Sequence, residues 1–237
     1  MNKFLKLNNI SKTFETSKKL KVIKNLSYNF SKGKIYSLMG PSGSGKSTLL
    51  NLISLIDNPS YGSIKFNDHE INYAEKEEND KFRAKKIGIV YQQNNLLPDF
   101  TSLENIYLAS LSINNDKDLA ISKAKQLLKK IGLSNRADHY PSQLSGGEAQ
   151  RIAIARAIIN DPEIILADEP TGSLDMRTAK VIFKLLKDQK RSNRLIIFAT
   201  HNRFFGNKAD CLLEILDGNI KLSLIHISEP TRRYAIS

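Results

Sequence analysis

A single cysteine, Cys211, stands in a chain of 237 residues. That excludes an internal disulfide framework and any metal site built on several thiolates. Apolar runs are short, and none approaches the ~18–20 residues a bilayer-spanning helix needs. The opening MNKFLKLNNI lacks the apolar core of a secretory leader, which points to the cytoplasm. Repeats and low-complexity linkers are also missing. What remains is 41% hydrophobic and 25% charged, the balance of an ordinary folded chain with enough length for a sizeable core.

The charge is lopsided. Lys and Arg number 36 against 24 acids, a net charge of +12. Nucleic acid, anionic lipid headgroups and a polyanionic ligand such as a nucleotide all fit such a balance, as do lysines spread over solvated faces. No dense basic block narrows the choice. KAKQLLKK at 123–130 reads as the wet face of an amphipathic helix.

Periodicity gives the outline. Residues 3–37 alternate apolar and polar around a turn at 31–34, predicting antiparallel strands, with Ile35–Met39 as a strand entering a glycine-rich loop. Leu49, Leu50, Leu52, Ile53 and Ile56 then recur at helical spacing. A charged helix over 75–86 precedes the strand Ile87–Tyr91, and 102–160 reads as helical throughout. Ile164–Ala167 and Leu195–Thr200 are strands flanking a helix over 176–190, and 211–221 is a terminal hairpin. Strands alternating with helices predict an α/β fold with a largely parallel sheet and a helical insertion.

Chemistry concentrates at a few points. Gly40, Pro41, Ser42, Gly43, Ser44, Gly45, Lys46, Ser47 and Thr48 form the pattern G-x-x-x-x-G-K-S between a strand and a helix. Glycines there let successive amides curl around phosphate oxygens at a helix N-terminus. Lys46 reaches the β- and γ-phosphates of ATP, and the Ser47 hydroxyl faces Mg²⁺. The apolar strand ending at 167 delivers two carboxylates. Asp168 is assigned to the metal and Glu169 to the attacking water. Ser145, Gly146 and Gly147 open another helix and make a second anion-facing N-terminus. One nucleotide needs one phosphate loop, so this motif either caps its own helix or serves another subunit's nucleotide.

LSGGE at 144–148, the phosphate loop and ADEPT at 167–171 together resemble the ATP-binding-cassette (ABC) superfamily over residues 1–221. The resemblance implies a RecA-like P-loop core, an antiparallel N-terminal subdomain and a helical subdomain near 98–150. It implies that Phe14 stacks on adenine, although the family often has tyrosine there. Gln92, with Gln93 beside it, matches the glutamine loop that touches Mg²⁺ and the membrane partner. Asp175 matches a loop at the dimer interface, and His201 the switch histidine at the γ-phosphate. Two copies would sandwich two ATP molecules, each site joining one copy's phosphate loop to the other's LSGGE. A groove near Leu96, Leu97, Pro98 and Phe100 would receive a helix of an integral membrane permease. Within the superfamily, QQNNLLPDFTSLENI and the ADCLLEILDG ending are similar to ATPases of bacterial lipoprotein-releasing systems. Macrolide and peptide exporter ATPases and a cell-division ATPase share that branch. The implied place is the cytoplasmic face of the inner membrane, with lipoprotein cargo contacted only through the permease and no nucleic acid expected. A soluble cassette acting on DNA or ribosomes would also suit the charge, but it usually carries coiled-coil insertions or a second cassette. A generic phosphate-loop kinase leaves LSGGE and His201 unexplained.

The end of the chain stands apart. LSLIHISEPTR at 222–232 resembles the translation of a sequencing adapter, and RYAIS looks like its continuation. Residues 222–237 are therefore expected to lie outside the fold.

Overall fold

The structure, a computed structural model, describes residues 3–15 and 19–225. The strands β1 (Lys3–Glu15) and β2 (Lys19–Ser31) pair antiparallel, as their alternation predicts. After a turn, β3 (Ile35–Met39) enters the second sheet, followed by α1 (Lys46–Ile53). The strands β4 (Tyr61–Phe66) and β5 (His69–Glu70) return to the first sheet, and α2 (Lys76–Lys86) leads into β6 (Ile87–Val90). The inserted helices are α3 (Ser102–Leu111), α4 (Lys117–Lys130) and α5 (Gly146–Ile158). Then come β7 (Ile164–Asp168), α6 (Met176–Lys187), β8 (Leu195–Ala199), the one-turn α7 (Arg203–Gly206) and the hairpin β9 (Cys211–Leu216) and β10 (Asn219–Ile225).

The first sheet has the order β2-β1-β4-β5 and the second β10-β9-β3-β8-β7-β6. Strands β9, β3, β8, β7 and β6 run parallel, and β10 alone is antiparallel to its neighbour. Both faces of the parallel sheet are covered, so its strands read as unbroken apolar runs. Leu38, Leu166 and Ile197 face α1 and the antiparallel sheet. Ile165, Ile196 and Phe198 face α5 and α6 on the other side. A third core, around Ile106, Ala124, Leu128 and Ile152, belongs to the helical insertion. Among the described residues no helix is long and apolar enough to cross a membrane.

Three expectations need adjusting. Helix α1 stops at Ile53 because Leu55 takes a left-handed φ of 60°, which leaves Ile56 exposed rather than on the helical face. The stretch 102–160 is broken: Gly132, at φ 71°, ends α4, and two short 3-10 turns fill the gap before α5. The third concerns the chain's end. Strand β10 crosses position 221, and Leu222, Ser223, Leu224 and Ile225 pair with Glu214, Leu213, Leu212 and Cys211. Alternating leucine, serine and isoleucine suit a strand whatever their origin, and β9 otherwise offers a bare edge there. The rest of the tail lies outside the described residues.

Candidate nucleotide site

Three glycines make the phosphate loop possible. A side chain at Gly40 would meet the Ile215 carbonyl at 2.3 Å, so β9 passes there only because nothing projects. Gly43 and Gly45 hold φ of 77° and 102°, conformations costly for other residues. Gly45 is also the N-cap of α1, and no side chain caps that helix. Its first amides have no acceptor among the described residues and sit at the positive end of the helix dipole. Lys46 is buried, and its Nζ donates to the carbonyls of Gly40 (2.8 Å) and Pro41 (2.9 Å). The ammonium thus rests inside the loop it closes. Pro41, Ser42 and Gly43 are exposed, Thr48 is half-buried, and the Ser44 hydroxyl is buried with no partner among the described residues.

The ends of the neighbouring parallel strands bring the acidic groups to the same rim. Asp168 closes β7. Burial pushes its carboxyl above the usual range, a Ser47 hydroxyl contact opposes this, and the charge of Glu169 adds to it. One oxygen of each carboxylate, Asp168 Oδ1 and Glu169 Oε2, is buried with no partner among the described residues. Glu169 adopts φ 43°, a left-handed conformation strained for a non-glycine residue, and its amide donates to the Ala199 carbonyl at 3.0 Å. That backbone kink turns the carboxylate toward His201, whose Nδ1–H donates to Oε1 at 3.0 Å. His201 itself is exposed. Gln92, just past β6, reaches the same loop: a side chain at Gly172 would meet Gln92 Nε2 at 3.2 Å and the Glu169 carbonyl at 3.4 Å.

A buried orphan carboxylate oxygen beside a serine hydroxyl is a donor set for a hard cation such as Mg²⁺. Among the described residues no three acidic, histidine or cysteine groups cluster into a protein-only metal cage. Mg²⁺ suits that arrangement, because it takes one or two carboxylates and completes its shell with water and phosphate oxygens.

A second cleft, of about 450 Å³, lies elsewhere on the molecule and is lined by Ser145, Gly146, Gly147, Asp175 and Thr178. Both open branches for the Ser145 motif are compatible with it. Ser145 caps α5 in a reciprocal box with Glu148, accepting from the Glu148 amide at 3.3 Å while its own amide donates to Glu148 Oε2 at 2.8 Å. Arg136 donates to the other carboxylate oxygen at 2.8 Å, and these contacts hold the Glu148 carboxyl down at about 2. Asp175 likewise caps α6 and accepts from the Thr178 hydroxyl at 2.6 Å. Within one chain, then, Ser145 and Asp175 do not meet the phosphate loop. Phe14 is 36% exposed at the open end of the β1–β2 ribbon, with Lys12 Nζ 5.1 Å from its ring centre. The residues that hold the Gln92 loop, Asn105, Gln150 and Arg156, went unmarked in the sequence. The only trace is polar residues interrupting otherwise apolar helices.

A phosphate loop at the C-terminal edge of a parallel sheet, with a paired acid and histidine opposite it, defines a P-loop ATPase of the cassette type. The chain belongs to the ABC transporter family, whose model matches residues 23–172. It is an ABC ATPase. The lipoprotein-releasing system ATP-binding protein LolD of Cytophaga hutchinsonii is 39% identical, over 93% of this chain and 100% of the relative. LolD of Wigglesworthia glossinidia brevipalpis is 43% identical, over 91% and 95%. Among solved structures, the ATP-binding cassette MJ0796 in a dimeric post-hydrolysis state with ADP and Pi matches with a TM-score of 0.86. That match is 36% identical and covers 93% of this chain and 98% of the other.

Proposed function

We propose that this chain is the ATP-hydrolysing subunit of a complex that releases lipoproteins from the bacterial inner membrane toward a periplasmic carrier. The observation that carries the reading is identity of 39–43% to LolD proteins along nearly the full chain, joined to an acid–histidine pair at the phosphate loop. Residues 1–221 form the cassette, and the segment from 222 onward is an adapter-derived addition. Two copies bind head to tail at the cytoplasmic face of the membrane, so that Ser145, Gly146, Gly147 and Asp175 of one copy close over the nucleotide held by the other. Phe14 stacks on the adenine.

In that reading Lys46 leaves the carbonyls of Gly40 and Pro41 to meet the β- and γ-phosphates, while the open amides of α1 hold the remaining oxygens. Ser47, Asp168 and Gln92 would hold Mg²⁺, which when bound neutralises charge on the phosphates. Glu169 orients a water whose oxygen bonds to the γ-phosphorus as the bond to the bridging oxygen breaks. The water's proton passes to the carboxylate, and ADP and phosphate leave. His201 holds Glu169 Oε1, so the other oxygen is the one free to accept from the water. Asp168 is less suited to that task because it faces Ser47.

The membrane partner docks beside the Gln92 loop. Leu96 packs into the helical core, whereas Leu97 and Phe100 are exposed, which leaves apolar surface for a helix. Asp99 stands on the same exposed stretch. Asp99→Lys should keep the ATPase rate of the isolated subunit and reduce co-purification with co-expressed permease subunits. Unchanged co-purification and unchanged lipoprotein release in vesicles would move the docking site elsewhere.

A further inference from the structure

The far end of β1 does not alternate as a strand should. Ile10 and Ser11 are both buried, and the pairing to β2 and β4 slips register between Leu7 and Thr13. Such irregularities bend a strand and re-aim the side chains that follow. Here they bring Lys12 over the Phe14 ring, with Nζ 5.1 Å from its centre.

Lys12 is a cation largely withdrawn from water, its side chain 13% exposed. A desolvated ammonium needs partners, and both come from the turn after α1. Nζ pairs with the Asp57 carboxylate and donates to the Asn58 carbonyl at 2.8 Å. The Asp57 amide donates in turn to the Asn51 carbonyl, in the last turn of α1, at 3.2 Å. Ser60 stitches the same two segments together. Its amide donates to the Ser11 carbonyl at 2.8 Å, and its hydroxyl accepts from the Thr13 amide at 3.0 Å. Helix α1 is the one capped by Gly45 at the end of the phosphate loop. A chain of contacts therefore runs from the Phe14 ring through Lys12 and Asp57 to the helix that carries the phosphate cradle. The other strand of the ribbon lies against that cradle directly. A side chain at Gly45 would meet the Val22 carbonyl at 3.2 Å, and Phe14 pairs with Leu20, two positions from Val22.

We propose that Lys12 is a positioning residue for the base: tied through Asp57 to the phosphate-loop helix, it holds the Phe14 ring at a fixed place relative to the phosphate cradle. This rests on the reading that Phe14 stacks on the adenine. The cation occupies one side of the ring, and the ring's exposed surface is left for the base. A lysine near a polyanion would ordinarily act on the phosphates. This one is neutralised by Asp57, so its contribution to ATP binding passes through the ring and the base.

Calorimetric titration of the full chain, in a Glu169→Gln background that stops turnover, tests this with two probes, Mg-ATP and Mg-tripolyphosphate. The second has the phosphates and no base. Lys12→Met should lower ATP affinity about three- to tenfold and leave tripolyphosphate within about twofold. Asp57→Asn keeps the charge and removes the anchor, so it should shift ATP in the same direction by a smaller factor; it also carries the test if Lys12→Met fails to fold. Lys12→Arg should hold ATP affinity within about twofold, because a guanidinium can meet the carboxylate and lie over a ring. In a Phe14→Ala background, Lys12→Met should change ATP affinity by less than about twofold. Equal losses for ATP and tripolyphosphate would overturn the proposal, since Lys12 would then act on the phosphates. So would an undiminished loss on top of Phe14→Ala, or unchanged ATP affinity in both Lys12→Met and Asp57→Asn. Phe14→Ala alone separates the premise: if it leaves ATP affinity unchanged, the assignment of Phe14 is what fails.

Discussion

Two helix N-termini in this cassette look alike in sequence and are finished in opposite ways. At α1 the N-cap is Gly45, no side chain caps the helix, and the amides stay open. At α5 the N-cap is Ser145, boxed by Glu148 and braced by Arg136. The first has a ligand of its own to supply the missing acceptors, and its buried lysine waits on loop carbonyls in the meantime. The second holds its shape within its own chain and offers only the amides of Gly146 and Gly147 outward. A cradle for a bound phosphate is built open; a surface that, in the proposed dimer, would close on a partner's phosphate is built in advance.

The change that would break this contrast most directly is at α1. Lys46→Ala should weaken ATP binding by roughly 10–100-fold, because a charge-assisted contact of about 1.5–3 kcal/mol is lost. Titration with a fluorescent nucleotide measures it, and near-native affinity would deny the loop its role. Glu169→Gln comes next, with turnover down by about 10²–10⁴ and ATP binding kept. Size-exclusion chromatography should then show an ATP-dependent dimer.

Ser145→Arg sharpens the comparison from the other side. It should leave nucleotide binding by the monomer intact and abolish ATPase activity. Mixed with Lys46→Ala, activity should partly return, since one composite site of the mixed dimer carries both defects and the other carries neither. No recovery at any ratio would show that the two helix ends do not share a nucleotide.

Acid titration probes the brace. Arg136 and the Ser145 amide and hydroxyl hold the Glu148 carboxyl at about 2, below its usual value of 4.5. The sign follows: the contribution of this carboxylate to stability is complete above the unfolded value and disappears as pH falls through the folded one. Exchange at the start of α5 should therefore stay protected at pH 4 and open toward pH 2, while Glu148→Gln removes the pH dependence. The smallest effect lies at the sheet edge. Truncation after Lys221 removes the pairs from Leu222 to Ile225 and should cost about 1–2 kcal/mol in urea denaturation.

Local sequence determined a good deal by itself. The phosphate loop was legible because it is a contiguous pattern whose chemistry depends on neighbouring amides, and the Asp168–Glu169 pair because an apolar strand must end where its carboxylates begin. The buried strands announced themselves through apolar runs, since a parallel sheet covered on both faces leaves no polar alternation. Tertiary structure decided what spacing does not encode. It turned Glu169 through a left-handed kink onto His201, 32 positions away, and drew Gln92 beside Gly172. It also set Arg156 on the carbonyls of a loop 61 and 62 positions earlier, and it carried β10 across a boundary that the adapter resemblance had placed after Lys221. Carbonyl acceptors are the same at every residue, so no sequence pattern can say which ones a half-buried guanidinium will find. Only the packing of α5 against β6 brings them within reach.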